Sequence, residues 1–124
     1  EAEKKSGVKV DGHIVLLCTG FHKRHQNDRT KLVWANPQVT VSASEWLFKR
    51  GSIMHGVEGP STDSPDNNDF AQHRYCRDKG ITHFEWLVNL EATLGKGEFE
   101  FIGLPIKFKG GSGSPVRAVA IINE

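Results

Sequence analysis

Cysteine is scarce in this sequence of 124 residues: Cys18 and Cys76 are the only two, and neither belongs to a CxxC pair. Two cysteines are too few for the disulfide framework of a small secreted protein. Each is more simply explained as a small buried hydrophobic side chain. The sequence also has no Asn-x-Ser/Thr glycosylation site. These absences give no support to secretion, and we expect a cytoplasmic protein.

The sequence also has no marked excess of positive or negative charge and no long apolar segment. The 16 Lys and Arg residues and the 15 Asp and Glu residues leave a formal net charge of +1. Nucleic-acid and membrane-surface proteins usually depend on clustered positive charge, so the composition argues against both kinds of partner. Apolar runs such as Ile14 to Cys18 have the length of a strand, far below the roughly 18 residues of a membrane span.

Methionine occurs once, at Met54, and the chain begins with Glu1. We therefore expect a processed chain or a fragment rather than a primary translation product. The length corresponds to one domain. The sequence also lacks the GxSxG, P-loop, GxGxxG and HExxH patterns, which excludes the best-known signatures of several enzyme classes.

The hydrophobic pattern predicts an α/β fold with a mixed β-sheet and packed helices. A continuous apolar run from His13 to Thr19 predicts a strand buried on both faces. Further strands are predicted at 53–57, 98–102 and 116–122, a long loop at 20–38, and either a strand or a helix at 81–90. We expect one sheet to bury Ile14, Leu16, Ile53, Val57, Phe101, Leu104, Val119 and Ile121, with Trp46 packing its helix against it.

Two helices are predicted between these strands. The first covers 40–51, with Ser42 and Glu45 as a capping box at its start. The second covers 69–79, is capped by Asp66 or Asn68, and ends at Gly80.

His73 and Glu85 are the candidate functional residues that the residue pattern itself favours. His73 lies in the middle of the second predicted helix, where most histidines are exposed or half-buried without a special role. Glu85 stands in a largely apolar stretch, where an unpaired carboxylate would be costly. A metal ion is one partner for such an acid. His22 and His25 would need a helix to face one ion, and none is predicted there. The pattern thus predicts a soluble α/β domain with a candidate His/Glu half-site.

Several segments of the chain form an ordered pattern: Asp11–Gly20, Glu45–Leu47 with Arg50-Gly51, Gly56–Asp63, His73–Leu90, Leu104–Lys107 and Gly113–Ala120. In this order they resemble the cyclase-like metal-dependent hydrolases, the family that includes bacterial kynurenine formamidase and isatin hydrolase. The loop from Gly56 to Asp63 resembles the family's G-I-D-x-P-S-x-D segment, with Glu58 in place of the usual aspartate and Thr62 where an apolar residue is common.

The resemblance implies a fold and a set of site residues. Residues 1–124 would form a single partial domain, the C-terminal half of a cyclase-like (swivelling β/α) domain. His73 and Glu85 match the family's histidine and glutamate ligands, which bind a divalent metal, Zn²⁺ or Mn²⁺. Ser61 and Asp63 lie in the matching loop as substrate-binding residues. The remaining ligands and the acid/base histidine come from an HxGTHxD motif and its surroundings, which this sequence lacks, so no catalytic residue is assigned here.

The implied function is metal-dependent hydrolysis of the C–N bond of a small amide-type substrate, an aryl formamide or a cyclic amide. The expected partners are an N-terminal half or a second chain carrying HxGTHxD, a small-molecule substrate and further copies of the chain in a homo-oligomer. The alternative is a non-catalytic fold fragment or binding module. If His73 and Glu85 share an ion, the helix must end near Gly80 and the chain must reverse, because a continuous helix would separate them by about 18 Å along its axis.

Overall fold

The computed structural model describes residues 1–122, apart from the side chains of residues 2 and 6. The chain divides into two compact units, Glu1–Glu91 and Ala92–Glu124. Its elements are, in chain order, α1 (Ala2–Ser6), β1 (Val15–Leu17), α2 (Phe21–His25), α3 (Arg29–Trp34), α4 (Val41–Lys49), β2 (Met54–Val57), α5 (Ala71–Lys79), β3 (Thr82–Phe84), a 3-10 turn (Leu90–Thr93), β4 (Glu100–Pro105) and β5 (Val116–Ile121). None of the helices described is long and apolar enough to span a membrane.

The α/β class is confirmed, and the parallel and antiparallel strands form separate sheets. In the first unit the order is β1-β2-β3, with both pairs parallel. Parallel strands need long crossover connections, and the segments carrying α4 and α5 supply them. In the second unit β4 and β5 pair antiparallel from Glu100↔Ile121 to Pro105↔Val116. The ambiguous segment after Gly80 is a strand at its start, and β5 matches the predicted strand at 116–122.

Helix α4 begins earlier than the predicted capping box requires. Thr40 is its N-cap, and the Thr40 hydroxyl accepts a hydrogen bond from the backbone N–H of Ala43 at 3.2 Å. Ser42 therefore lies inside the first turn, and Glu45 pairs with Lys49 at 3.2 Å instead of closing a box. The predicted capping box was wrong. Thr40 and Ser42 can both cap a helix, and the three-residue spacing from Ser42 to Glu45 favoured Ser42, whereas the helix begins after Thr40.

Helix α5 is capped from outside its own segment. Phe70, the residue before the helix, has a φ of 47° and makes no side-chain cap. The carboxylate of Asp63 accepts hydrogen bonds from the backbone N–H groups of Gln72 and His73, each at 2.9 Å. The prediction that Asp66 or Asn68 caps this helix was wrong, whereas its end at Gly80, with a φ of 68°, is confirmed.

The predicted loop at 20–38 contains two short helices, α2 and α3. Asp28 starts α3, since its side chain accepts a hydrogen bond from the backbone N–H of Lys31 at 3.0 Å. The basic residues of this segment hid the helical turns, because their mixed polarity gives no apolar stripe.

Burial differs from the expected core. Among the described residues, the buried apolar side chains all belong to the first unit: Leu32, Val39, Leu47, Val57, Cys76, Ile81, Leu87 and Leu90. Of the eight expected residues, Val57 is confirmed as buried, Leu16 and Phe101 are half-buried, and Ile14, Ile53, Leu104, Val119 and Ile121 are exposed. Trp46 is also 40% exposed, with the Arg50 guanidinium 4.6 Å from its ring centre.

The physical reasons for these errors differ between the units. Ile14 and Ile53 each precede the strand that they were expected to join, and β1 is half-buried along its whole length. In β5 the half-buried positions are Val116, Ala118 and Ala120. Side chains alternate between the two faces of a strand, so Val119 and Ile121 occupy the opposite, exposed face.

Candidate metal centre

The carboxyl ends of the three parallel strands gather polar residues. Thr19 follows β1, Glu58 follows β2 directly, and Glu85 follows β3 directly. In open α/β sheets, ligands bind at this edge of the sheet. The loop after β2 then continues to Asp63, which faces α5. The sheet, this loop and α5 together position the candidate ligands.

Asp63 fixes the ring of His73. The Asp63 Oδ2 atom lies 2.6 Å from His73 Nδ1 and also accepts the backbone N–H of His73. Burial opposes ionisation of Asp63, but the hydrogen bonds from the His73 ring and from the backbone of Gln72 and His73 outweigh it and lower the pKa of Asp63. A carboxylate on one ring nitrogen leaves the other available as a ligand, as in many metal sites.

The second ring nitrogen of His73 lies close to Glu85. His73 Nε2 is 3.6 Å from Glu85 Oε1, and His83 Nε2 is 3.3 Å from the same oxygen. Apart from these two imidazoles, this buried oxygen has no hydrogen-bond partner among residues 1–122. The structure therefore brings His73 and Glu85 together across twelve residues, because α5 ends at Gly80 and β3 returns the chain. Their role as metal ligands stays a prediction.

His83 is a member of this group that sequence reasoning missed. His73, His83 and Glu85 each offer a ligand atom, and these atoms lie within 4.8 Å of one another. The available signal is the strand period, since residues two apart lie on the same face of a strand. If the segment is extended, His83 and Glu85 lie on the same face. The pattern of residues 81–90 is compatible with both a strand and a helix, so the strand period alone does not select this pair.

Two neighbouring histidines have opposite pKa shifts. Hydrogen bonds with Cys76 and Glu85 raise the pKa of His83 to about 9, against the effect of burial. Burial, assisted by the nearby charge of His83, lowers the pKa of His55 to about 4. At neutral pH, in the absence of metal, His83 is thus an imidazolium cation and His55 a neutral imidazole.

The loop residues Ser61 and Asp63 lie beside this group in different ways. Ser61 is half-buried, and its hydroxyl accepts a hydrogen bond from the backbone N–H of Asp63 at 3.1 Å. Asp63 is buried, and both of its oxygens are engaged by α5. The observed contacts make Asp63 a positioning residue for His73, and a substrate-binding role for either residue stays a prediction.

Glu58, which departs from the family's usual aspartate, binds the end of β1. Glu58 Oε2 accepts the backbone N–H of Thr19 at 2.6 Å and also its hydroxyl. Both residues line an open cleft with about 380 Å³ of empty space, together with Leu17, Phe21, His22, Leu32, Asn36, Pro37, Gln38, Val39, Val57 and Gly59. His22 and His25 share helix α2, yet among the described residues neither belongs to a group with metal-ligand spacing.

The donor set at His73 and Glu85 fits a divalent cation. The His73 ring is oriented by a carboxylate, and the buried Glu85 oxygen faces only the imidazoles of His73 and His83 among the described residues. Imidazole and carboxylate ligands suit both Zn²⁺ and Mn²⁺, so the donor types do not distinguish the two ions.

Comparison with known proteins places the chain among related sequences. The family model Cyclase ("Putative cyclase") matches residues 1–64. A kynurenine formamidase of Salinibacter ruber is 39% identical over 73 residues, which are 59% of this chain and 34% of the relative. A kynurenine formamidase of Bacillus thuringiensis (strain Al Hakam) is 34% identical over 105 residues, 85% of this chain and 47% of the relative. The chain thus spans about a third to a half of the length of these relatives. The family model covers half of the chain, and the chain accordingly belongs to the Cyclase family.

Proposed function

We propose that this chain is part of a metal-dependent hydrolase that cleaves the C–N bond of a small amide-type substrate, an aryl formamide or a cyclic aryl amide. The observation that carries the proposal is the approach of His73 Nε2 to Glu85 Oε1 at 3.6 Å, with Asp63 hydrogen-bonded behind His73. The kynurenine formamidases of Salinibacter and Bacillus support the substrate class.

In this proposal His73 and Glu85 hold the ion, and Asp63 acts through His73. Asp63 keeps the proton of the imidazole on Nδ1, so that the Nε2 lone pair faces Glu85. A divalent ion, Zn²⁺ or Mn²⁺, supplies polarisation of the substrate carbonyl and activation of water. Ser61, half-buried in the neighbouring loop, offers a hydroxyl to the substrate.

The site requires residues from elsewhere. Two protein ligands leave most coordination positions open, and such an ion is weakly held and poorly oriented. We propose that an N-terminal half of the same enzyme, or a second chain carrying HxGTHxD, supplies two histidines, an aspartate and the acid/base histidine. A proton-transfer group of this kind contributes roughly 10²–10⁴-fold to the rate. We also propose that copies of the chain assemble into a homo-oligomer.

The test is hydrolysis of an aryl formamide and of a cyclic aryl amide by the purified chain, with and without a polypeptide that carries HxGTHxD. We expect no turnover by the chain alone with Zn²⁺ or Mn²⁺, and metal-dependent turnover after complementation. His73→Ala and Glu85→Gln should abolish the complemented activity, whereas His13→Ala, at the exposed position before the amino end of β1, should not.

Three results would contradict the proposal. Metal-dependent turnover by the pure chain would show that no ligands are needed from elsewhere. Full activity of the complemented His73→Ala variant would remove the proposed ligand. Inactivity of every complemented mixture would favour the non-catalytic binding module instead.

A further inference from the structure

We propose that His55, Cys76 and His83 form a second cation site that takes a thiophilic divalent ion such as Zn²⁺. Each of the three residues offers one ligand atom, and these atoms lie within 4.8 Å of one another. This site lacks both His73 and Glu85 as ligands. It therefore does not rest on the proposed hydrolase activity.

The fold holds the three residues together from three elements. His55 in β2 and His83 in β3 are paired in register across the parallel sheet, and their rings stack with centres 5.5 Å apart. Cys76 lies in α5 and is 2% exposed. Because strand partners and a packed helix supply the ligands, the cluster is part of the rigid interior of the first unit rather than of a loop.

His55 carries the observation that points to a ligand. Its side chain is only 1% exposed, and its Nε2 atom is buried without a hydrogen-bond partner among the described residues. Leaving a buried polar atom without a hydrogen-bond partner is unfavourable. A cation bound to this nitrogen would remove that cost.

The chemistry of the donors selects the ion. One thiolate and two imidazoles are ligands of structural and catalytic zinc sites, whereas Mg²⁺, Ca²⁺ and Mn²⁺ prefer oxygen. With Zn–N and Zn–S bonds of about 2.0 and 2.3 Å, tetrahedral ligand atoms stand roughly 3.3–3.6 Å apart. The widest separation, at most 4.8 Å, needs to contract by no more than roughly 1.5 Å around such an ion.

His83 lies between this site and the Glu85 site. Its Nε2 contacts Glu85 at 3.3 Å, and its ring stands edge-on to His73 with centres 4.8 Å apart. An imidazole has two nitrogens and can bind a metal through one while the other is hydrogen-bonded to a carboxylate. The two sites are therefore adjacent, yet they have separate defining residues, Cys76 and His73.

The experiment is a Co²⁺ titration of the purified, metal-free chain, because cobalt bound to a thiolate gives a charge-transfer absorption in the near ultraviolet. We expect this band in the wild type, in the control variant Cys18→Ser and in His73→Ala. Cys76→Ser should abolish it, and His55→Gln should weaken the affinity on the order of tenfold or more. The band in His73→Ala separates this site from the proposed hydrolytic site.

The proposal is overturned if the wild type lacks the band, if the band persists in Cys76→Ser, or if it disappears in Cys18→Ser. Should Cys76→Ser fail to fold by circular dichroism, thiol alkylation of the wild type replaces it. Zn²⁺ should then slow the alkylation of Cys76 and leave that of Cys18 unchanged. Equal rates at Cys76 with and without Zn²⁺ would refute the site.

Discussion

The two compact units of this chain are stabilised by different means. In the first unit, side chains bind distant backbone groups: Ser52 donates to the His13 carbonyl at 2.6 Å, and Glu58 accepts the Thr19 amide. In the second unit the principal contact is the antiparallel ladder between β4 and β5. Leu104, Val119 and Ile121 remain exposed there. The candidate ligands belong to the unit with the buried polar network, which can hold a side chain in one orientation.

The largest expected contrast between the units concerns leucine truncation. Leu87 is 5% exposed, whereas Leu104 is 75% exposed. Leu87→Ala should lower the free energy of unfolding by about 2–5 kcal/mol, because it removes buried surface and leaves a cavity. Leu104→Ala should change it by no more than about 0.5 kcal/mol.

Hydrogen exchange of strand amides during urea titration measures the two units separately. Protection of the β2 and β3 amides should fall in Leu87→Ala, and that of β4 and β5 should be unchanged in Leu104→Ala. Similar losses in the two variants would mean that Leu104 is covered in the folded protein.

Glycine substitution sharpens the same contrast at the backbone. A Cβ at Gly59 would stand 1.9 Å from Asn36 Oδ1, and Asn36 is buried. At Gly113 a Cβ would meet nothing within 4 Å. We expect Gly59→Ala to destabilise the chain by about 1–3 kcal/mol through overpacking, and Gly113→Ala to be neutral or to stabilise it by about 0.4–1 kcal/mol. Chemical denaturation of both variants gives the difference, and a neutral Gly59→Ala would contradict the close approach.

Asp63 tests whether the polar network of the first unit also prepares the metal site. Asp63→Asn should destabilise the start of α5 by about 1–2 kcal/mol, because one accepting oxygen becomes an NH₂ group and a backbone N–H of the first turn loses its acceptor. It should also reduce the affinity of the complemented site for its ion about 10–100-fold, since His73 loses its orienting carboxylate. The exposed Asp69 provides the control Asp69→Asn. Calorimetric titration with the metal ion measures the affinity of both variants. Equal affinities of Asp63→Asn and Asp69→Asn would exclude the positioning role.

The pH dependence of the wild type follows from the same residue. The fold lowers the pKa of Asp63 below its ordinary value of 3.8. Its contribution to the free energy of unfolding is therefore present above about pH 4 and is lost as the pH falls through the lowered pKa. Acid titration of the metal-free chain should show a loss in this range that is smaller in Asp63→Asn. If Asp63→Asn loses as much free energy of unfolding at low pH as the wild type, the loss comes from other groups.

The sequence predicted the class, the end of α5 at Gly80 and the strand β5. Each of these depends on a local signal: the order of the elements, a glycine after the last helical residue, and a run of apolar residues. It did not predict the cap of α5, since Asp63 lies nine residues before Gln72 and no local motif joins them. The proximity of His73 to Glu85 came from the family resemblance. His55 could not be placed, because only the register of β2 against β3 brings it beside His83.

The smallest expected effect distinguishes the two cap-forming residues at the start of α4. Thr40 Oγ1 accepts the Ala43 amide at 3.2 Å, and the Ser42 hydroxyl lies 3.0 Å from Thr40 Oγ1. Thr40→Ala should therefore cost about 1 kcal/mol, since an amide of the first turn loses its acceptor. Ser42→Ala should cost no more than about 0.5 kcal/mol, because it removes only a hydrogen bond between exposed hydroxyl groups. Urea denaturation measures both variants, and the reverse ranking would restore Ser42 as the cap. Helix α4 packs into the first unit through Leu47. In Thr40→Ala, protection from hydrogen exchange should therefore fall for the β1 and β2 amides and stay unchanged for the β4 and β5 amides.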